Sequence, residues 1–89
     1  MGKETRIVLT ESSFTHLCKL GYFTHRSENQ TKTDVYITKS EMKEIATGKV
    51  LEKQVGYDIV KFALQDIGMD LVREIVRRSP IYSEMAYEL

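Results

Sequence analysis

Apolar positions follow one pattern twice in the first half of the chain, in segments 7–18 and 35–46, at a shift of 28 residues. Each segment starts with two alternating apolar positions, which is typical of a half-buried strand, and continues with apolar residues spaced as on one helix face. Threonine and serine hydroxyls stand between the two parts, where a helix needs an N-cap. The matched residues are Ile7 with Val35, Leu9 with Ile37, Thr10 with Thr38, Ser12 with Ser40, Phe14 with Met42, Leu17 with Ile45 and Cys18 with Ala46.

Each segment therefore predicts a strand, a capped short helix, a glycine stop at Gly21 or Gly48, and a second extended stretch at 22–25 or 49–55. The stretch 26–33 has no apolar residue and is predicted to be a solvent-exposed loop. Two identical residues among twelve fit a duplicated unit and also fit a common strand-to-helix pattern used twice, which we favour. In either case the predicted units are 1–25 and 34–55.

Residues 57–79 carry the strongest helical pattern in the chain. Apolar residues recur there at spacings of four and three: Val60, Leu64, Ile67, Leu71 and Ile75. This periodicity predicts one long amphipathic helix. A break at 67–70 is the alternative, because Gly68 weakens a helix and Asp70 can cap a new one. Ser79 and Pro80 then predict a restart as a short terminal helix.

Together these elements predict a single α+β domain over 1–89. Its small sheet is built from the two similar strand–helix–strand units. The sheet packs against the long C-terminal helix and the short terminal helix, which make up a helical part at 57–89. A helix over 57–79 would be about 33 Å long, which exceeds the length of a small sheet, so part of its apolar stripe is expected to remain uncovered.

Composition narrows the class of protein. The 89 residues include 42% apolar side chains, 13 basic and 13 acidic ones, and a formal net charge of zero. These values describe one small folded domain and exclude a strongly basic nucleic-acid coat protein. The single cysteine cannot form an intramolecular disulfide, and the apolar runs are too short for a signal peptide or a membrane span. We expect a cytoplasmic protein without membrane contact.

No set of side chains predicts catalysis. His16 and Cys18 are two residues apart on a predicted helix and point to different faces. Cys18 is expected to be packed and inert, and His25 to lie on the surface. The sequence has no metal-ligand pair and no glycine-rich phosphate loop, and Asp66 and Asp70 fit a solvated helix face. We therefore expect no enzyme, cofactor or metal, with a minimal hydrolase that uses one of the two histidines as a third hypothesis.

Two surface groups are candidates for contacts with a partner. Arginine and tyrosine near the end of the long helix are typical of protein interfaces, and lysines of the second unit suit nucleic-acid phosphates. The first group is Arg73, Arg77, Arg78, Tyr82, Met85 and Tyr87, and the second is Lys39, Lys43, Lys49 and Lys53. The sequence favours a non-enzymatic protein–protein interaction module, either a homodimer or an adaptor or inhibitor of a larger protein. A nucleic-acid-binding regulator is the alternative.

Overall fold

The computed structural model describes residues 3–27 and 29–80, and these ranges contain five strands and three helices. In chain order the elements are β1 (Glu4–Leu9), α1 (Glu11–Leu20), β2 (Tyr22–Arg26), β3 (Lys32–Tyr36), α2 (Lys39–Ala46), β4 (Leu51–Val55), β5 (Asp58–Leu64) and α3 (Met69–Arg78). The predicted α+β class is confirmed. The predicted short terminal helix beyond Pro80 lies outside the described residues.

The first two helices start and end where the sequence predicts. Thr10 precedes α1, and its Oγ1 accepts a hydrogen bond from the backbone N–H three residues further on at 3.3 Å. Thr38 precedes α2 and forms a reciprocal capping box with Glu41. α1 is followed by Gly21, whose left-handed backbone, with φ of 77°, lets its N–H donate to the carbonyl of Leu17. The threonines thus provide both caps, and the matched serines lie inside the helices.

β5 is the central strand of a three-stranded sheet with the order β1–β5–β4. It runs parallel to β1, with Glu4 opposite Ile59, and antiparallel to β4, with Leu51 opposite Phe62. β2 and β3 form a separate antiparallel hairpin.

The two similar units do not build one sheet, which corrects the prediction. β1 lies in the three-stranded sheet, whereas its counterpart β3 pairs with β2. The predicted loop at 26–33 is also shorter, because β2 continues to Arg26 and β3 starts at Lys32. An antiparallel hairpin can pack one face on the core and leave the other in water, so polar residues at its exposed end do not prevent pairing.

The long helix predicted over 57–79 is wrong, because residues 58–64 form β5 and α3 starts only at Met69. The spacing of Val60 and Leu64 fits a helix, but it fits one face of a strand equally well. Phe62 lies off the helical stripe and is fully buried between these two residues on that face. The alternative prediction, a break at 67–70, is confirmed. Gly68 is the N-cap residue of α3 and has a φ of 79°. The predicted surplus of apolar helix surface over 60–75 is therefore absent.

The core lies against one face of the three-stranded sheet, which we call the inner face and which comprises the odd-numbered residues of β1 and β4 and the even-numbered residues of β5. Helix α3 contributes to the same core, and its end is attached to α1, because Ser79 Oγ donates to the carbonyl of Cys18 at 2.5 Å. The buried apolar side chains include Leu9, Phe14, Leu17, Met42, Ile45, Leu51, Val60, Phe62, Val72 and Val76.

Candidate functional site

β1 uses only half of its backbone hydrogen-bonding groups on β5. The carbonyls of Lys3 and Leu9 accept from the backbone N–H groups of residues 59 and 65, each at 2.9 Å. Because the N–H and C=O of one residue point to the same side of a strand, and this side alternates along the chain, the odd-numbered residues face β5. The even-numbered ones point away, and within the described ranges no strand pairs with them. We call this row the β1 edge; it consists of the N–H and C=O groups of Glu4, Arg6 and Val8.

The side chains of the β1 edge lie on the outer face of the sheet, opposite the core. This face is mostly exposed: Val8 is 52% exposed, and Val50, just before β4, is 50% exposed. Ala63 lies opposite Val8 in β5 and is the one buried residue of the outer face. The outer face comprises Glu4, Arg6, Val8, Glu52, Gln54, Ile59, Lys61 and Ala63.

Arg6 stands beside a like charge on the outer face. It lies opposite Lys61 in the β1–β5 register. Lys61 Nζ donates to Glu4 Oε1 at 3.0 Å, and this contact raises the pKa of the ammonium, whereas the positive charge of Arg6 opposes the rise. None of the ion pairs in the described residues includes Arg6. A carboxylate supplied from outside the chain would therefore offset an unfavourable contact.

His25 and Asp58 form a buried hydrogen bond between the hairpin and the three-stranded sheet. His25 Nε2 lies 3.0 Å from Asp58 Oδ2, and the backbone N–H of Lys3 donates to Asp58 Oδ1 at 3.1 Å. The hydrogen bond from His25, followed by that from Lys3, lowers the pKa of the Asp58 carboxyl. The prediction of a surface position for His25 is wrong, since the residue is only 8% exposed. The side chains of Thr24 and Arg26, on either side of His25 in β2, are exposed, whereas the side chain of His25 points toward the protein interior.

A polar cleft of about 440 Å³ opens beside this pair, lined in part by Ser27, Asn29, Thr31 and Thr33. The hydrogen bonds of the described residues give His25 no hydroxyl or thiol partner. Nucleophilic catalysis needs such a partner next to the base. The hydrolase hypothesis receives no support from this geometry.

Cys18 is buried, as predicted, and His16 is exposed on another face of α1. Burial raises the pKa of the Cys18 thiol to about 12, so the reactive thiolate is scarce near neutral pH. The two side chains do not form a nucleophile and base.

Only the three arginines of the predicted arginine and tyrosine group lie within the described residues. Arg77 and Arg78 both bind Glu74, at 2.6 Å and 2.8 Å, and both side chains remain largely exposed. These contacts, that of Arg77 first, lower the pKa of Glu74. Arg73 lies one turn earlier on α3 and is exposed. Tyr82, Met85 and Tyr87 lie outside the described residues, so the use of this group as an interface stays a prediction.

The lysines of the predicted group lie on α2, in the connection to β4 and on β4 itself. Lys39 and Lys43 lie one turn apart on α2, and Lys49 lies in the connection to β4. Lys53 is on the inner face of β4, where Nζ donates to both carboxylate oxygens of Glu41 at 2.9 Å and 3.0 Å. Nucleic-acid binding by these lysines stays a prediction.

Sequence reasoning missed the β1 edge and the His25–Asp58 pair. Glu4 and Arg6 alternate with the uncharged Thr5 and Ile7 in the sequence, and this pattern could have extended the predicted strand toward its start. Its position at the edge depends on β5, a segment for which the sequence pattern predicts a helix. The pairing of His25 with Asp58 joins residues 33 apart and has no local signal.

The described residues contain no helix long and apolar enough to cross a membrane. In the same ranges no three His, Cys, Asp or Glu side chains are grouped so that they could hold a metal ion. Comparison of the chain with protein-family models, curated proteins and solved structures gives no significant match.

Proposed function

We propose that this chain is a non-enzymatic protein–protein interaction module that binds an extended segment of its partner along the β1 edge. The observation that carries the proposal is the row of N–H and C=O groups on Glu4, Arg6 and Val8, which no strand among the described residues pairs. Such a row is a template for one more strand. A partner strand would satisfy these groups and continue the three-stranded sheet.

β1 lacks most of the features that protect an edge strand from pairing. Protected edges carry a proline, a bulge, an inward-pointing charge or a very short strand. β1 has six residues, none of them proline, and stays in regular register with β5 over its whole length. Its inner-face residues Thr5, Ile7 and Leu9 are uncharged. The two charged residues lie on the outer face and have opposite signs, so they select a partner rather than exclude all of them.

We also propose that the protein is cytoplasmic, as expected from its single cysteine. The nucleic-acid alternative has weaker support, because Lys53 is bound to Glu41 and the chain has no net charge. Backbone hydrogen bonds would provide most of the affinity at the β1 edge, and the outer-face side chains would provide specificity.

Site-specific photo-crosslinking in cells of the source organism tests this proposal. A benzophenone amino acid replaces Val8, which is half exposed beside the edge, and in a matched control it replaces Tyr57, which is 88% exposed at the β4–β5 turn. We expect covalent protein adducts from position 8 and few from position 57. Equal yields, or none at position 8, would reject the β1 edge as the binding site.

Arg6→Pro provides a second test. The N–H of Arg6 points away from β5, so a proline there removes a group of the edge and no hydrogen bond of the sheet. We expect the variant to fold and to lose the adducts from position 8. Adducts that persist in the folded variant would contradict binding by strand addition.

A further inference from the structure

We infer that the strand received by the β1 edge is β1 of a second copy of this chain, antiparallel, with the two-fold axis through Thr5. The inference rests on the proposed function and names its partner. It follows from three features of β1: the side to which each backbone group points, the order of its charges, and the surroundings of Arg6.

Backbone direction restricts the register to three possibilities. In an antiparallel pair, hydrogen-bonded positions must both point toward the partner, so even-numbered residues of one copy face even-numbered residues of the other. If at least two residues of the β1 edge pair with those of the other copy, the two-fold axis passes through residue 5, residue 6 or residue 7. Each of these registers makes one residue its own counterpart across the interface.

Charge selects among the three registers. With the axis at Thr5, Glu4 of each copy lies directly opposite Arg6 of the other. With the axis at Arg6, two guanidinium groups face each other, and with the axis at Ile7, Arg6 faces the apolar Val8. Opposite charges on directly paired residues stabilise a sheet and like charges destabilise it, so the Thr5 register is favoured.

The surroundings of Arg6 support the same register. Arg6 lies opposite Lys61 and has no ion pair among the described residues, whereas Glu4 uses only Oε1 to bind Lys61. In the dimer the second carboxylate oxygen of Glu4 is available for Arg6 of the other copy. Two equivalent contacts form around the axis, and the six strands make one continuous sheet.

The interface is small, so the dimer is weak and reversible. The register provides about four backbone hydrogen bonds, two for each pair of facing residues. Contacts of this size resemble the transient class of protein interfaces rather than an obligate dimer. The test must therefore trap the dimer or shift its equilibrium.

Disulfide trapping identifies the axis. Thr5→Cys, Arg6→Cys and Ile7→Cys each place a thiol opposite itself in one of the three registers. Cα atoms of a non-hydrogen-bonded pair lie about 4.5 Å apart, within the range that a disulfide spans. Under mild oxidation we expect at least about tenfold more crosslinked dimer from Thr5→Cys than from the other two. Cys18 gives little background, since it is 1% exposed and its thiol pKa is about 12.

Charge reversal tests the pairing without a crosslink. In Arg6→Glu, the new carboxylate at position 6 lies opposite Glu4 of the other copy. In Glu4→Arg, the new guanidinium at position 4 lies opposite Arg6 of the other copy. Each variant alone should therefore lose self-association. In an equimolar mixture every facing pair has opposite charges, and association should return to the native level. Glu4→Arg also removes the ion pair between Glu4 and Lys61, and mixing the variants does not restore that ion pair. Recovery of association in the mixture would therefore be due to the contacts between the two copies.

Sedimentation velocity measures association of the native chain, the two variants and their mixture. Self-pairing is overturned if the mixture sediments like the single variants, or if Thr5→Cys crosslinks no better than its neighbours. If position 8 then forms photo-adducts with a different protein, the β1 edge still binds a partner and only its identity changes. If position 8 forms no adducts at all, the proposed function fails as well.

Discussion

At the residue scale, the hydrogen bond between His25 and Asp58 connects the hairpin to the three-stranded sheet. Asp58 also accepts the backbone N–H of Lys3, so one carboxylate holds two partners with its two oxygens. An amide at this position offers one acceptor oxygen where the carboxylate offers two. This single side chain therefore links β2, β5 and the residue before β1.

We expect Asp58→Asn to be less stable than the native protein at neutral pH. The folded-state pKa of Asp58 lies below its ordinary value of 3.8, so its ionised form stabilises the fold above that pH. This stabilisation is lost as the pH falls through the folded pKa, and the difference between variant and native protein should shrink there. Urea unfolding between about pH 7 and about pH 3 measures it.

Asp66→Asn is the matched control for this prediction. Asp66 is exposed in the connection between β5 and α3, with no hydrogen bond among those of the described residues. Its substitution should change the unfolding midpoint little at any pH. A similar pH profile for both variants would show that the ionised Asp58 carboxylate does not stabilise the fold through its hydrogen bonds with His25 and Lys3.

Cys18 provides a second prediction at this scale. Its pKa of about 12, against an ordinary value of 9.0, reduces the thiolate population about a thousandfold near neutral pH, and burial blocks access. A thiol reagent should label the native protein only as fast as it unfolds. Rapid labelling of the native protein, compared with the urea-unfolded control, would contradict the burial of this side chain.

At the element scale, the sequence was informative wherever the signal is local. Thr10, Thr38 and Gly21 mark helix ends through contacts with residues three or four positions away, and these ends were predicted correctly. The error at 58–64 arose because Val60 and Leu64 satisfy both helical and strand periodicity. The strand is decided by its partners β1 and β4, and those contacts are distant in sequence. The β1 edge was missed for the same reason.

Gly68→Ala distinguishes the strand–turn–helix arrangement from a continuous helix by the sign of its effect. In a helix interior, alanine would stabilise the protein by about 1 kcal/mol relative to glycine. At φ of 79° a side chain strains the backbone although nothing lies within 4 Å of its Cβ, so we expect a loss of about 1 kcal/mol. Urea unfolding measures the change, and a gain in stability would contradict the observed break.

At the scale of the whole molecule, strand order determines which backbone amides are protected from exchange. In dilute protein the amides of Thr5 and Ile7 should exchange slowly, because they point toward β5, and those of Glu4, Arg6 and Val8 should exchange quickly. Raising the protein concentration should slow exchange at both Glu4 and Arg6, since these are the β1-edge residues that face each other in the inferred register. Protection of Arg6 and Val8 without protection of Glu4 would instead indicate the register with its axis at Ile7. Amide exchange followed by NMR separates these outcomes.

The central position of β5 has a consequence for the time course of folding. β1 is synthesised long before the strand that joins it to β4, and its register with β5 pairs residues 55 positions apart, Glu4 with Ile59. During translation β1 lacks its pairing partner until residues 58–64 have left the ribosome. Long-range pairing of this kind slows folding. The nascent β1 is therefore exposed on both of its sides, and neighbouring ribosomes on one message hold many copies of it close together.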